Sequence, residues 1–167
     1  MRIIRKRRII VDPSRHVADD QPLPAIEHRD GKAIVSLTRW REQRERLLAS
    51  GIALGLRIGN DVDVAELAAD LKHLDLIALA FPVFTDGRAY SQARELRTRF
   101  AFDGELRATG DFLRDQLGFM ARCGFDAWEF ADTADLQDAL AGFDDLSVDY
   151  QAILAGSAER PSPVLAN

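Results

Sequence analysis

Between Phe81 and Phe130 the sequence brings together side chains suited to binding an anion and moving a proton: Asp86-Gly87-Arg88, Tyr90-Ser91, Arg107, Gly110-Asp111 and Asp115. Arg88 and Arg107 each offer a permanently charged planar fork that matches sulfite, sulfate, phosphate or carboxylate. Gly87 and Gly110 lie at or just before expected helix starts, where free backbone N–H groups face an anion. Ser91 shares the first helical turn with Arg88, and Tyr90 supplies a ring for stacking and a phenol for donating a proton. The ligand-binding set is therefore Gly87, Arg88, Tyr90, Ser91, Arg107 and Gly110. Asp86, Asp111 and Asp115 are the carboxylates available for general acid–base work.

Each of these residues also has a plainer role. Asp86 and Asp111 are placed to cap helices starting near Gly87 and Phe112. Arg107 alternates with Leu106 and Ala108 in a strand, so a sheet position would bury its charge and demand a carboxylate, with Glu105, Asp111 and Asp115 as candidates. Arg94 lies about 9 Å further along the helix axis than Arg88, which makes Arg94 and Arg97 structural. A helical tyrosine is most often a core-edge residue.

Other chemistry is thinly represented. No P-loop or Ser-His-Asp order occurs, and Gly51, Gly55 and Gly59 do not form a dinucleotide fingerprint. The single cysteine, Cys123, excludes an intrachain disulfide and a thiolate-ligated cluster built by one chain, and it reads as a small buried hydrophobe. His16, His28 and His73 lack metal-ligand spacing, so no metal site is expected and the cofactor is left open. A net charge of -5 argues against a nucleic-acid partner. No apolar run is long enough for a membrane span, and no signal-peptide pattern opens the chain, which points to a cytoplasmic protein.

These side chains would be positioned by repeated strand-helix units. Strands are expected at Ala33–Leu37, Leu54–Ile58, Leu76–Phe81, Glu105–Thr109 and Asp126–Phe130, with helices at Thr38–Ala49, Val62–His73, Gly87–Phe100, Phe112–Arg122 and Thr133–Gly142. Such alternation implies an α/β fold with a mainly parallel sheet, either open or a half-barrel, whose sites lie beyond the strand carboxyl ends. The first 30 residues read as a β-rich extension, with Ile3-Ile4 pairing Ile9-Ile10-Val11 and Arg5-Lys6-Arg7-Arg8 guarding the edge. The expected organisation is one domain over 1–156, with its core in 31–142, and a tail over 157–167. The helix Phe112–Arg122 carries two apolar stripes, Leu113/Leu117/Met120 and Phe112/Phe119/Cys123, which suggests contact with the sheet and with a further surface such as another subunit.

The segments Phe81-Pro82-Val83-Phe84-Thr85-Asp86-Gly87-Arg88-Ala89-Tyr90-Ser91, Gly104-Glu105-Leu106-Arg107-Ala108, Gly110-Asp111, Arg114-Asp115-Gln116-Leu117 and Arg122-Cys123-Gly124-Phe125-Asp126-Ala127 resemble the bacterial domain-of-unknown-function 934 family. The resemblance spans about Leu54 to Phe130. It implies a place beside assimilatory sulfite reductase, where members are described as inferred oxidoreductases or accessory proteins. Two readings follow: an adaptor that supports electron delivery to, or assembly of, sulfite reductase, and a small enzyme acting on a sulfur oxyanion or other anionic metabolite. The absence of an electron-carrier motif ranks the adaptor first, and whether the chain is an enzyme stays open.

Overall fold

The computed structural model describes residues 1–24, 31–130 and 135–143. Eight strands, β1 (Arg2–Arg5), β2 (Arg8–Val11), β3 (Arg15–His16), β4 (Ala33–Ser36), β5 (Leu54–Ile58), β6 (Leu76–Phe81), β7 (Glu105–Gly110) and β8 (Ala127–Glu129), form one sheet in the order β2-β1-β8-β7-β6-β5-β4-β3. Strands β3 to β8 run parallel, whereas β1 pairs antiparallel with both β2 and β8. The sheet is thus mixed, not mainly parallel as the β-α alternation implies. The correction comes from the N-terminal hairpin, which is no add-on: it lengthens the sheet beyond β8, and β3 finishes the opposite edge.

The sheet is open but strongly curled into a half-barrel. Four strands separate β3 from β8, a distance of about 24 Å in a flat sheet at the usual strand spacing. Yet His16 Nε2 on β3 lies 3.0 Å from Glu129 Oε2 on β8.

Alternation along the strands sorts side chains between the two faces. Ile77, Leu79 and Phe81 of β6 and Leu106 and Ala108 of β7 join one large core with residues of the helices α1 (Leu37–Ala49), α2 (Arg88–Thr98), α3 (Leu117–Cys123) and α4 (Leu136–Ala141). Leu76 and Ala78, on the other face of β6, form a separate small cluster with Ile34. That two-sided burial explains the continuously apolar β6 sequence, since each buried Leu or Ile contributes about 1.5–3 kcal/mol.

Local chemistry sets the element ends. Ser36 caps α1 by accepting the Arg39 N–H at 3.0 Å, and the left-handed Gly124 ends α3. The expected helix Val62–His73 is instead two 3-10 pieces, Val64–Leu67 and Leu71–His73. Between them the Asp70 carboxylate accepts hydrogen bonds from Trp40 Nε1 at 2.9 Å and Arg44 Nε at 2.7 Å, tying this segment to α1. The expected helix Phe112–Arg122 begins later, with a 3-10 turn at Arg114–Gln116 followed by α3. Gln116 closes that turn by accepting the Leu113 N–H at 2.9 Å, so Asp111 is not its cap. Helix α4 is capped by Asp135; the first expected residues of that helix, Thr133 and Ala134, lie outside the described residues with His28 and the expected tail.

Candidate functional site

The concave face of the half-barrel is charged. Arg107, completely shielded from solvent in the middle of β7, places Nη2 2.7 Å from Asp12 Oδ2 and 2.6 Å from Glu105 Oε1. Its Nη1 lies 3.6 Å from Glu129 Oε2. Arg5 on β1 completes the cluster with Nη2 3.0 Å from Asp12 Oδ1 and Nε 2.7 Å from Glu105 Oε2. Burial pushes the Asp12 carboxyl up, but Arg107 and Arg5, with a hydrogen bond donated by Ser14, outweigh it and hold the group below its ordinary value. Arg107 is therefore neutralised by carboxylates, the outcome that its strand position demanded. Of the three partners anticipated, Glu105 pairs with Arg107, and Asp111 and Asp115 do not.

Above this cluster, at the carboxyl ends of the parallel strands, opens a cleft of about 500 Å³ whose polar lining is His16, Arg57, Thr109, Gly110, Asp111 and Glu129. This is where an α/β sheet of this kind holds its ligands. Gly110 turns the chain at φ +102°, and the next N–H, from Asp111, donates to the Phe81 carbonyl at 2.8 Å. Arg57 and Asp111 are exposed and make no ion pair among the described residues. Glu129 Oε2 lies 3.0 Å from His16 Nε2 while facing Arg107, so the carboxylate joins the buried cluster to the cleft.

Of the anticipated site residues, Gly110 and Asp111 line this cleft, and the others lie elsewhere. Asp86 and Arg88 pair with each other at the start of α2, Arg88 Nη2 being 2.7 Å from Asp86 Oδ2. Side-chain and backbone hydrogen bonds from Arg88 lower the Asp86 carboxyl to about 2, which keeps it ionised at neutral pH and makes it a poor proton donor. Gly87 forms the turn between them. Ser91 and Asp115 are exposed. Tyr90 packs its ring 5.3 Å from Phe81 and 5.1 Å from Phe119, and burial, then the charges of Cys123 and Asp115, push its phenol up. Tyr90 is thus the core-edge residue that its helical setting suggested.

Sequence reasoning missed His16, Arg57, Thr109 and Glu129. Arg57 interrupts an otherwise apolar strand near its carboxyl end, a signal available in the sequence. His16 and Glu129 stand 113 positions apart and meet only because the sheet curls.

A second feature adjoins the loops after β6 and β7. Val83, Phe84, Leu113 and Phe119 are each at least 40% exposed. Gln116 ties the two loops together, its Nε2 donating to the Phe84 carbonyl at 3.0 Å while its Oε1 holds the Leu113 N–H. The two apolar stripes expected on one helix are redistributed: Phe112, Leu117, Met120 and Cys123 are buried, and Leu113 and Phe119 are left outside.

A family model described as "Bacterial protein of unknown function (DUF934)" matches residues 55–162, more than half of the chain. The chain belongs to the DUF934 family. No curated protein matches it in sequence. The DUF934 region supplies Arg57, Thr109, Gly110, Asp111 and Glu129 of the cleft and the exposed Val83, Phe84, Leu113 and Phe119, while Asp12 and His16 precede it. Among the described residues no helix is long and apolar enough to cross a membrane, and no cluster of three or more His, Cys, Asp or Glu side chains is arranged to hold a metal ion.

Proposed function

We propose that this DUF934 protein is a cytoplasmic accessory protein of assimilatory sulfite reduction, an adaptor that docks on sulfite reductase to support electron delivery or assembly. The pathway rests on the family resemblance. The observation that carries the adaptor role is the exposure of Val83, Phe84, Leu113 and Phe119, with Gln116 joining the Phe84 and Leu113 loops. Large apolar side chains grouped on a surface are the usual mark of a protein interface. Phe84→Asp and Phe119→Asp change exposed side chains and should leave the fold intact. Wild-type protein should co-purify with sulfite reductase from sulfate-grown cells, and either variant should lose the enzyme. A wild-type protein recovered as a homodimer without sulfite reductase would overturn the reading and assign the surface to a second copy of the chain.

The cleft favours a second reading, a small oxidoreductase-type enzyme that binds a sulfur oxyanion or other anionic metabolite at the strand ends. Its support is Arg57, an arginine without an ion-pair partner among the described residues, beside Thr109 and the Gly110 turn. Arg57→Ala should abolish binding of sulfite followed by calorimetry. Unchanged binding in that variant would remove the cleft as the site.

A further inference from the structure

We propose that His16 and Glu129 form an acid–base pair that exchanges one proton with a small anion seated against Arg57 in the mouth of the half-barrel; the proposal rests on the anion-binding reading of the cleft.

Three features of the structure carry it. The first is orientation. Glu129 Oε2 lies 3.0 Å from His16 Nε2 and also faces the Arg107 guanidinium. A carboxylate accepts a hydrogen bond and does not donate one, so in the pair Nε2 carries the proton and Nδ1 is the imidazole nitrogen left with a lone pair. Nδ1 has no hydrogen-bond partner among the described residues. A base whose second nitrogen is fixed by a carboxylate is the arrangement by which imidazole serves proton transfer elsewhere.

The second is support. Glu129 lies 3.6 Å from the arginine that binds Asp12 and Glu105, so the pair borders a buried ion-pair network. Protonation of His16 would place an imidazolium against a carboxylate that Arg107 neutralises only from 3.6 Å, its closer contacts going to Asp12 and Glu105. Glu129 thus retains the electrostatic capacity to stabilise that cation.

The third is placement. His16 and Glu129 line the same cleft as Arg57, Thr109 and Asp111. The charged groups that face His16 across this cleft are Glu129 on β8, Arg57 on β5, Asp111 after β7 and, behind Glu129, Arg107. A protonated anion seated on Arg57 gives its proton to Nδ1 of the neutral imidazole and becomes one unit more negative beside the resulting imidazolium; in the reverse direction the imidazolium returns that proton to the anion. The step is a single proton transfer, closed in atoms and charge, with no electron exchanged.

The test is a pH titration of the side-chain NMR signals of wild-type protein carrying 15N-histidine and 15N-arginine, with and without sulfite as the probe, repeated for Arg57→Ala. Sulfite should shift the Arg57 Nε–H signal and raise the proton affinity of His16 about tenfold, and both effects should disappear in Arg57→Ala. Glu129→Gln should diminish the sulfite-induced change at His16. Should that variant fail to fold, the wild-type and Arg57→Ala titrations decide the matter. A shifted Arg57 signal with an unmoved His16 titration overturns the acid–base pair and leaves the anion cleft standing. If neither signal responds to sulfite, the anion-binding reading falls and the pair falls with it.

Discussion

Arg107 in the centre of β7 and Asp12 in the segment between β2 and β3 meet at 2.7 Å with both side chains excluded from solvent. This one contact joins the middle of the sheet to the connection between its two edge strands, and so acts directly on the curl. Arg5 and Glu105 close the cluster around it.

Removing one member of this cluster should be far worse than removing a surface ion pair. Asp12→Ala leaves Arg107 facing Glu105 with one partner lost in a buried site, a change that costs about 3–5 kcal/mol when a buried pair is broken. The exposed pair Arg41–Glu66, 2.6 Å apart on the helical side, is the control; Glu66→Ala should cost no more than about 1 kcal/mol. Urea unfolding of the three proteins followed by circular dichroism measures both values. Equal costs would show that the cluster does not hold the curl.

The same cluster sets a pH dependence. The folded Asp12 carboxyl lies below its ordinary value of 3.8, because Arg107 and Arg5 overcome the opposing effect of burial. A lowered folded value stabilises the native state fully above the unfolded pKa, and that stabilisation is lost as the pH falls through the folded value. Burial pushes the Asp70 carboxyl up, but hydrogen bonds from Trp40 and Arg44, with the charge of Arg44, together outweigh it, so this group adds a contribution of the same sign. Stability should therefore be insensitive to these two groups at neutral pH and fall steeply below about pH 4. Asp12→Asn, already destabilised, should show a shallower acid limb in urea midpoints measured across that range.

Ala101 gives a test independent of the cleft. It adopts φ +49° in the connection between α2 and β7, a left-handed conformation that costs an L-residue about 1 kcal/mol relative to glycine. Its side chain is exposed, so little packing is lost on its removal. Ala101→Gly should raise stability by about 0.5–1 kcal/mol in urea unfolding, where a glycine at an ordinary φ would lower it.

The strands and their apolar faces were legible because period-two and continuous apolar patterns are local properties: β5 and β6 match their expected ranges residue for residue. The Arg107 requirement for a carboxylate was legible for the same reason, since strand alternation alone buries it. Glu105, two residues back in the same strand, was legible with it, whereas Asp12 was not, because it is 95 positions away and reaches Arg107 only through curvature. The 3-10 breaks at Asp70 and Leu113 were hidden for a related reason. At Asp70 the competing hydrogen bonds come from Trp40 and Arg44 on another element, and periodicity carries no record of such partners. The candidate site shifted from the Asp86-Arg88 loop to the cleft because those two charges satisfy each other locally, whereas Arg57 remains available.

Gly110 joins the readable part of the sequence to the cleft itself. At φ +102° its Cβ position would lie 2.3 Å from the Phe81 carbonyl oxygen, the same oxygen that accepts the Asp111 N–H. Gly110→Ala therefore combines a disfavoured backbone conformation with a clash against main chain that no rotamer change relieves. The β6–β7 ends must separate, which moves Thr109 and Asp111 away from Phe81 and widens the mouth. The expected loss is about 2–4 kcal/mol, in the range of strained and overpacked sites. Sulfite binding should weaken even where calorimetry at low temperature keeps the variant folded. Gly51→Ala separates the two effects: it shares a positive φ, of 68°, but has nothing within 4 Å of the added carbon. That variant should lose only the conformational term, about 1 kcal/mol, and should bind sulfite as the wild type does. If both alanine variants bind equally well, the geometry of the Phe81–Gly110–Asp111 turn is not what shapes the cleft.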